Sequence, residues 1–369
     1  MKRLLSSFIA LTVLLGALMA FPAPARASTA DFFEDAVFLG DSLTVGLEKY
    51  VNNKRKSDSG YFSNAQFLAR VSYAIAHTLK EDGYSMHPEY DGRLSQPQKS
   101  LKAMGAKKVF ITLGVNDIGA TESTIASNYK KLIAAIKEEL PNAQLYMLAV
   151  FPMTERKESS SRSNKVIDSL NWTLLKLAMS EDMTFIDFTC ALKNDDNALN
   201  KEYSSDDYVH LNNDGYAVWT KQMYAFADFA RKTGAASGAA TVINVKSFVN
   251  ARSGPGTNYE KVTTVPKGAE VDVKEKAGDG WYKVEYSGKT LYISGRYLSI
   301  SIGGLEGKVC NVSQFANLRS GPSTGHSKAG KANKGATVTV SKKYYNPRWY
   351  RAVYKGETVY ISSNLVKVD

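Results

Sequence analysis

The sequence predicts an α/β domain with a mostly parallel sheet, followed by two small all-β units. Short apolar runs alternate with helical periodicities between residues 36 and 231, which is typical of a parallel sheet covered by helices on both faces. After residue 241 the chain changes to short β-rich pieces with frequent glycine and lysine. This last part repeats itself at an offset of 67–68 residues, which is the size of one small β unit.

The chain begins with the pattern of an export signal. Lys2 and Arg3 form a basic start, an apolar run covers residues 4–20, and the small-x-small pattern of residues 25–27 suits cleavage. A membrane anchor is the alternative, but two prolines interrupt the apolar run before the cleavage pattern. No other segment approaches the roughly 18 apolar residues that a spanning helix needs. We therefore expect a signal peptide over residues 1–27 and no transmembrane anchor after cleavage.

The first folded domain is predicted over residues 31–232. Five short apolar runs, continuous as in strands buried on both faces, are Ala36–Leu39, Gln66–Ala69, Lys108–Leu113, Gln144–Val150 and Thr184–Phe188. Three helical faces lie between or after them: Ile125, Tyr129, Leu132, Ile133 and Ile136; Val166, Leu170, Leu174 and Leu177; Tyr216, Trp219, Met223 and Phe226. Residues placed at the carboxyl ends of such strands are candidates for a functional site.

The second half consists of a linker and two repeats. The small residues of 233–241 predict a flexible linker. Three signatures then recur in order: Asn250-Ala-Arg-Ser-Gly-Pro-Gly256 as Asn317-Leu-Arg-Ser-Gly-Pro-Ser323, Gly280-Trp-Tyr282 as Arg348-Trp-Tyr350, and Leu291-Tyr-Ile-Ser294 as Val359-Tyr-Ile-Ser362. Each copy, over 242–301 and 305–369, resembles a bacterial SH3-like (SH3b) domain, which implies a small barrel that binds cell-wall peptide or glycan.

The charge is distributed unevenly. Residues 1–240 hold 27 Lys+Arg and 27 Asp+Glu, whereas residues 241–369 hold 20 and 9, so the whole net charge of +11 lies in the last third. On an exported chain this excess favours an anionic matrix such as wall polymer, and no nucleic-acid motif is present. The two cysteines, Cys190 and Cys310, fall in different predicted domains, so they form no disulfide framework and offer no metal-ligand spacing. Two ordinary thiols are the favoured interpretation, and an interdomain disulfide is the alternative.

A serine follows the first predicted strand at Gly40-Asp41-Ser42. At that position the serine hydroxyl would lie at the edge of the sheet. The backbone N–H of Ser42 and the N-terminus of the next helix could then stabilise an oxyanion. A helix N-cap is the simpler interpretation of Ser42 taken alone. Asn116 follows the strand that ends at Leu113, where it either closes a turn or donates its amide to an anionic oxygen.

His210 is the favoured general base among the four histidines. It precedes the last helix and has carboxylates three and four residues earlier, at Asp207 and Asp206. The i−3 spacing of Asp207 favours it as the carboxylate that accepts the Nδ1–H of His210. Asp206 is the competing carboxylate, and a solvated acidic turn is the simpler interpretation of the pair.

From about residue 31 to 231 the chain resembles the SGNH (GDSL) hydrolase family. The residues that carry the resemblance are Gly40-Asp-Ser-Leu43, Gly114-x-Asn116-Asp117 and Asp207-x-x-His210. It implies a flavodoxin-like α/β/α sandwich and an ester hydrolase without metal or organic cofactor. Ser42, Asp207 and His210 would be catalytic, and Ser42, Ser72 and Asn116 would form the oxyanion hole. Ser72 stands where the family usually has glycine.

Together the two resemblances imply an extracellular, wall-associated serine esterase of a Gram-positive-type bacterium. Its expected reaction is removal of O-acyl groups, acetyl above all, from peptidoglycan or an associated polysaccharide, with the SH3b repeats on peptidoglycan or an anionic wall polymer. The alternatives are a secreted lipase or general carboxylesterase, a non-catalytic wall-binding protein, and repeats that bind protein partners instead of wall.

Overall fold

The computed structural model describes residues 29–232, 238–243, 245–277, 280–300, 304–355 and 357–368. The predicted signal peptide lies outside these residues. Five α-helices are present in them: α1 Ser42–Arg55, α2 Pro97–Ala103, α3 Glu122–Glu139, α4 Asn164–Ser180 and α5 Asn213–Arg231. None of the helices in the described part of the chain is long and apolar enough to cross a membrane.

The first domain is built on a parallel sheet. The strands of this domain are β1 Ala36–Gly40, β2 Gln66–Ala69, the short antiparallel pair β3 Glu89–Tyr90 and β4 Arg93–Leu94, β5 Lys108–Thr112, β6 Gln144–Leu148 and β7 Thr184–Ile186. Within the sheet the order is β2-β1-β5-β6-β7, every pair parallel. This is the strand order of flavodoxin-like folds. The predicted fold class is therefore confirmed.

Helices cover both faces of the sheet because alternate strand residues point to opposite sides. Phe38 of β1 packs in the core with α1 and α5, whereas Val37 and Leu39 belong to the core with α2, α3 and α4. All three side chains are fully buried. Continuous apolar runs were therefore the correct signal for these strands.

The predicted helical faces are mostly buried. Every residue of the predicted faces of α3 and α5 lies in the core. In α4 the face is rotated slightly, because Val166 and Leu177 are half-buried whereas Ile167 and Leu175 are fully buried.

Each repeat forms a seven-stranded antiparallel arrangement. The first contains β8 Gly238–Val242, β9 Phe248–Arg252, β10 Lys261–Pro266, β11 Glu270–Lys276, β12 Trp281–Tyr286, β13 Lys289–Ser294 and β14 Leu298–Ile300. The second contains β15 Leu305–Val309, β16 Phe315–Arg319, β17 Lys328–Asn333, β18 Thr337–Val340, β20 Trp349–Tyr354, β21 Glu357–Ser362 and β22 Val366–Val368. The predicted linker falls partly outside the described residues. Its end, from Gly238, is the first strand of the first repeat and pairs with β11 and β14.

The second repeat is joined to the hydrolase-like domain through β19, Tyr344–Tyr345. This strand pairs in parallel with β7 and becomes the sixth strand of the first domain's sheet. Tyr344 is 1% exposed and stacks on Phe185, while Tyr345 contacts Phe226 and Phe229 edge-on or tilted. The repeat thus covers a sheet edge that would otherwise present unpaired backbone groups.

Both cysteines are free thiols. Cys190 is half-buried near the docked repeat, and burial raises the pKa of its thiol to about 11. It is therefore held in the unreactive thiol form.

Candidate active site

Ser42 is the first residue of α1, directly after the carboxyl end of β1. The N-cap is Asp41, whose carboxylate accepts the N–H of Leu43 at 2.9 Å. The interpretation of Ser42 as a cap is thus wrong, because the neighbouring carboxylate fills that role. Gly40 permits the tight exit from the strand, since a Cβ there would lie 1.9 Å from Thr44 Oγ1. The hydroxyl of Ser42 is left to other partners.

The Ser42 hydroxyl has His210, 168 residues later in the chain, as its hydrogen-bond partner. Its Nε2 lies 3.0 Å from Ser42 Oγ, within hydrogen-bonding distance. His210 is in the loop before α5, and Asn212 caps that helix through the N–H groups of Asp214 and Gly215. The cap holds the loop at the sheet edge where β1 ends.

The carboxylate on the other side of the imidazole is Asp206. Its Oδ2 lies 2.5 Å from His210 Nδ1, and its Oδ1 accepts the backbone N–H groups of Tyr208 at 2.9 Å and of His210 at 3.2 Å. Partial burial alone would raise the pKa of Asp206, but the hydrogen bond and charge of His210 and these N–H groups outweigh it and lower the pKa. The residue is therefore an anion that holds Nδ1–H and leaves Nε2 facing the serine.

The expectation that Asp207 fills this position is corrected by the geometry. Asp207 has a left-handed backbone, with φ +53°, and its Oδ2 accepts from Arg156 Nη1 at 3.0 Å. Its carbonyl oxygen accepts from Thr154 Oγ1 at 2.7 Å. The backbone turn thus directs Asp207 away from His210, and the i−4 carboxylate reaches the ring instead of the i−3 carboxylate.

Ser72 lies in the turn Arg70–Tyr73 that follows β2. The turn is closed by the N–H of Tyr73 donating to the carbonyl of Arg70 at 3.2 Å. Ser72, its third residue, has φ +60°, a conformation that turns of this kind normally give to glycine. The backbone thus keeps the shape of a glycine turn with a serine in it, and Ser72 is exposed at the surface.

Asn116 lies in a 3₁₀ turn, Val115–Asp117, after β5. Its amide nitrogen donates to the carbonyl of Tyr73 at 3.2 Å and lies 3.5 Å from Asp41 Oδ2. These contacts bring the amide next to Tyr73, the residue that follows Ser72, and next to Asp41, the residue that precedes Ser42. The three predicted oxyanion-hole residues therefore come from three neighbouring strand ends.

Two buried carboxylates support this region. Burial raises the pKa of Asp41, which is 1% exposed, to about 7, and the charge of Asp117 adds to the effect. Burial also raises the pKa of Asp117, whose Oδ2 accepts the N–H of Ile75 at 2.9 Å. Asp117 thus satisfies the first N–H of the 3₁₀ helix Ile75–Leu79. The burial of Asp41 was not predicted, because the sequence shows only that it lies in the turn after the first strand.

The two other histidines of the first domain, His77 and His87, make hydrogen bonds within the fold. His87 is fully buried, with Nδ1 3.0 Å from the Tyr73 hydroxyl and Nε2 3.0 Å from the carbonyl of Lys80. His77 Nδ1 accepts the N–H of Ala74 at 3.1 Å, and burial lowers the pKa of its ring. Their polar atoms are used within the fold, which leaves His210 as the imidazole at the serine.

Residues 38–218 match the GDSL-like Lipase/Acylhydrolase family, and residues 247–299 and 315–367 each match the Bacterial SH3 domain. The chain contains a GDSL-like lipase/acylhydrolase domain followed by two bacterial SH3 domains. The first domain is accordingly that of a carboxylic ester hydrolase, as the serine and histidine motifs predict.

Individual relatives match parts of the chain. A solved GDSL-like lipase from Bacteroides thetaiotaomicron is 17% identical, covers 53% of this chain and 88% of its own, and has a TM-score of 0.40. "Probable endopeptidase p60" of Listeria innocua is 37% identical over 54 residues, 14% of this chain and 12% of the relative. "Putative N-acetylmuramoyl-L-alanine amidase YrvJ" of Bacillus subtilis is 28% identical over 85 residues, 23% of this chain and 16% of the relative. The chain thus matches only a small part of these two curated relatives.

Proposed function

We propose that this protein is an exported serine esterase that removes O-acyl groups, acetyl above all, from peptidoglycan or an associated wall polysaccharide. The observation that carries the proposal is the hydrogen-bonded series Ser42 Oγ, His210 and Asp206, with distances of 3.0 Å and 2.5 Å. A serine activated by an imidazole that a carboxylate orients is the arrangement for nucleophilic acyl transfer.

The reaction follows from these contacts. Ser42 Oγ attacks the ester carbonyl while Nε2 of His210 takes the hydroxyl proton, and Asp206 stabilises the resulting imidazolium. The oxyanion is held by the N–H of Ser42 and of Ser72 and by the amide of Asn116. His210 then gives its proton to the sugar oxygen that leaves, and an acyl group remains on Ser42. Water, deprotonated by the same ring, releases the carboxylic acid and restores the serine.

The openness of the site favours a short acyl group on a large carrier. The side chain of His210 is 42% exposed and that of Asp206 is 35% exposed, and the neighbouring Val71 is 58% exposed. A polymer can approach such a surface, whereas a long acyl chain would need an apolar cavity to bury it. This supports deacylation of a polysaccharide over lipase activity.

The C-terminal part supports the location. Its charge excess of 20 Lys+Arg over 9 Asp+Glu suits an anionic wall. A relative whose name refers to N-acetylmuramoyl-L-alanine shares a short segment with this chain. Two repeats on one chain would keep the esterase concentrated on its polymer.

The test compares p-nitrophenyl acetate, a long-chain p-nitrophenyl ester and O-acetylated peptidoglycan, with the wild type and the Ser42→Ala variant. Acetate release from peptidoglycan by the wild type, and its loss in Ser42→Ala, is the expected result. The exposed Ser57→Ala variant is the matched control and should behave as wild type. A strong preference for the long-chain ester would establish a lipase instead, and unchanged acetate release by Ser42→Ala would refute the proposal.

A further inference from the structure

A cavity of about 370 Å³ lies between the hydrolase domain and the second SH3 repeat. One wall is α4, the end is the segment after β7, and the other wall is the second repeat around His326 and Trp349. The cavity exists only because β19 docks the repeat on the sheet edge. Its volume falls in the range of ordinary small-ligand sites.

Aromatic rings form two sides of this interdomain cleft. Trp172 of α4 and Trp349 of the second repeat both line it, and both are half-buried rather than enclosed in a core. The ring of His326 lies 5.0 Å from that of Trp172. In the first repeat the tryptophan at the matching position, Trp281, is only 9% exposed. Partly open rings on facing walls give an apolar, flat surface of the kind that sugar rings stack on.

Fixed polar groups lie beside the rings. Asp168 accepts from Lys193 Nζ and from Asn197 Nδ2, both at 2.7 Å. Asp187 accepts from Thr189 Oγ1 at 2.7 Å and from Asn346 Nδ2 at 3.1 Å. These groups are held in place before any ligand arrives, so a ligand's hydroxyl and amide groups would meet an ordered surface.

The charge of the cleft selects against an anionic ligand. Its carboxylates are Asp168, Asp187 and Asp195, and its cations are Lys193 and Arg348. Lys193 is used by Asp168, and its side chain is only 9% exposed. Without a cationic excess, the cleft does not suit wall phosphate, and the basic surface of the repeats is a separate feature. An uncharged ligand with many hydroxyl groups fits it better.

The cleft lies along the same sheet edge as the proposed nucleophile. Ser42 follows β1 and Asp187 follows β7, and three strand intervals separate β1 from β7. At about 4.8 Å per interval this is roughly 14 Å. Side-chain contacts connect the cleft with the loop that carries His210. Asn194 of the cleft donates to Glu155 at 3.4 Å, and the next residue, Arg156, forms an ion pair with Asp207. One oligosaccharide could therefore occupy both places.

We propose that the interdomain cleft binds uncharged, N-acetylated amino-sugar residues of the same glycan strand whose acyl group reaches Ser42. This inference rests on the proposed esterase function and adds a polymer subsite formed by both domains. The second SH3 repeat then takes part in substrate recognition by the hydrolase, and the first repeat binds the wall polymer.

The test uses full-length protein and separates binding from chemistry. In the Ser42→Ala background, titration calorimetry measures binding of N-acetylglucosamine oligomers. In the active protein, KM and kcat are measured on O-acetylated glycan strands and on p-nitrophenyl acetate. The variants are Trp172→Ala and the paired Asp195→Ala/Arg348→Ala, both of the latter at exposed positions. The matched control is Glu138→Ala/Lys131→Ala on the exposed side of α3.

We expect Trp172→Ala to weaken oligomer binding and raise KM on the glycan by about 10-fold, as for a central aromatic contact. Hydrolysis of p-nitrophenyl acetate should stay within about 2-fold of wild type, because a small ester does not reach the cleft. Wild-type-like glycan KM in folded Trp172→Ala would overturn the proposal. If Trp172→Ala unfolds, a wild-type-like glycan KM in Asp195→Ala/Arg348→Ala would overturn the proposal in the same way.

Two further outcomes separate this inference from the proposed function. Oligomer binding that depends on Trp172, in a protein without esterase activity, would support the cleft and refute the esterase. Tighter binding of a lysine-rich peptide than of the oligomers, measured by the same calorimetry, would overturn the assignment of a neutral glycan.

Discussion

The two adjacent aspartates before His210 give a sharp test of the site. Asp206→Asn retains a side-chain carbonyl that can accept the N–H groups of Tyr208 and His210, so the loop should stay folded. It replaces the oxygen at 2.5 Å from Nδ1 by an amide group, which donates rather than accepts. The imidazole then favours the tautomer with a proton on Nε2, and that ring cannot take the proton of Ser42.

The expected magnitude follows from that change of tautomer. The Asp-to-Asn change in a serine-protease triad lowers kcat by about 10⁴. Because Asp206 and His210 are 35% and 42% exposed, water can replace part of the interaction, and we expect a loss of about 10³ in kcat. This corresponds to roughly 4 kcal/mol of transition-state stabilisation.

Asp207→Asn is the matched control one residue away. Its partner Arg156 has a side chain that is 70% exposed, and exposed ion pairs contribute about 0–1 kcal/mol. We expect kcat to change by less than about 5-fold. Both variants are measured on p-nitrophenyl acetate, with thermal unfolding to show that they are folded. A larger loss in Asp207→Asn than in Asp206→Asn would refute the assignment of the orienting carboxylate.

Single side chains at the site, in its buried support and at the domain contact can be tested separately. Asn116→Ala should lower kcat on p-nitrophenyl acetate by about 10²–10³ with little change in KM, as for an oxyanion donor; an effect on KM alone would contradict that role. Because burial raises the pKa of Asp41 to about 7, the native state retains a proton that the unfolded chain loses near pH 4, so the free energy of unfolding should fall as pH rises through 4–7. The fall in the free energy of unfolding over this range is up to roughly 4 kcal/mol. Urea titrations at several pH values should show a smaller fall in Asp41→Asn than in the wild type. The same pH dependence in both proteins would refute the burial argument. Tyr344→Ala should lower the free energy of unfolding by about 3–5 kcal/mol, because that side chain is 1% exposed, whereas Tyr259→Ala, at a position 44% exposed, should cost far less. Equal losses in the two tyrosine variants would show that the domains do not dock through β19.

Much of the fold could be predicted from local pattern. The run Gln66–Ala69 is a strand with the predicted bounds, and β1 continues one residue beyond its predicted end, to Gly40. The other three predicted strands end one or two residues early. Such runs are readable because a strand buried on both faces must be apolar at every position. The boundaries differ because the last apolar residues turn out of the sheet toward the functional edge.

The docking of the second repeat was missed, although a sequence signal existed. Counting back from the matched tryptophans, Tyr344-Tyr-Asn346 stands where the first repeat has Lys276-Ala-Gly278. Two aromatic residues in a loop that is otherwise small and polar indicate a buried contact. Repeat alignment finds the residues that resemble each other, whereas the contact depends on those that differ.

The sequence by itself determined the residue types of the site and the strand ends at which Ser42, Ser72 and Asn116 lie, because motif and periodicity are local properties. Tertiary structure alone decided which aspartate faces His210 and which repeat touches the hydrolase domain. The choice of aspartate depends on a left-handed backbone at Asp207, φ +53°. The contact of the second repeat depends on a sheet edge, β7, whose residues lie 159 positions before their partners in β19. Neither is encoded in spacing, since both arise from how distant segments pack.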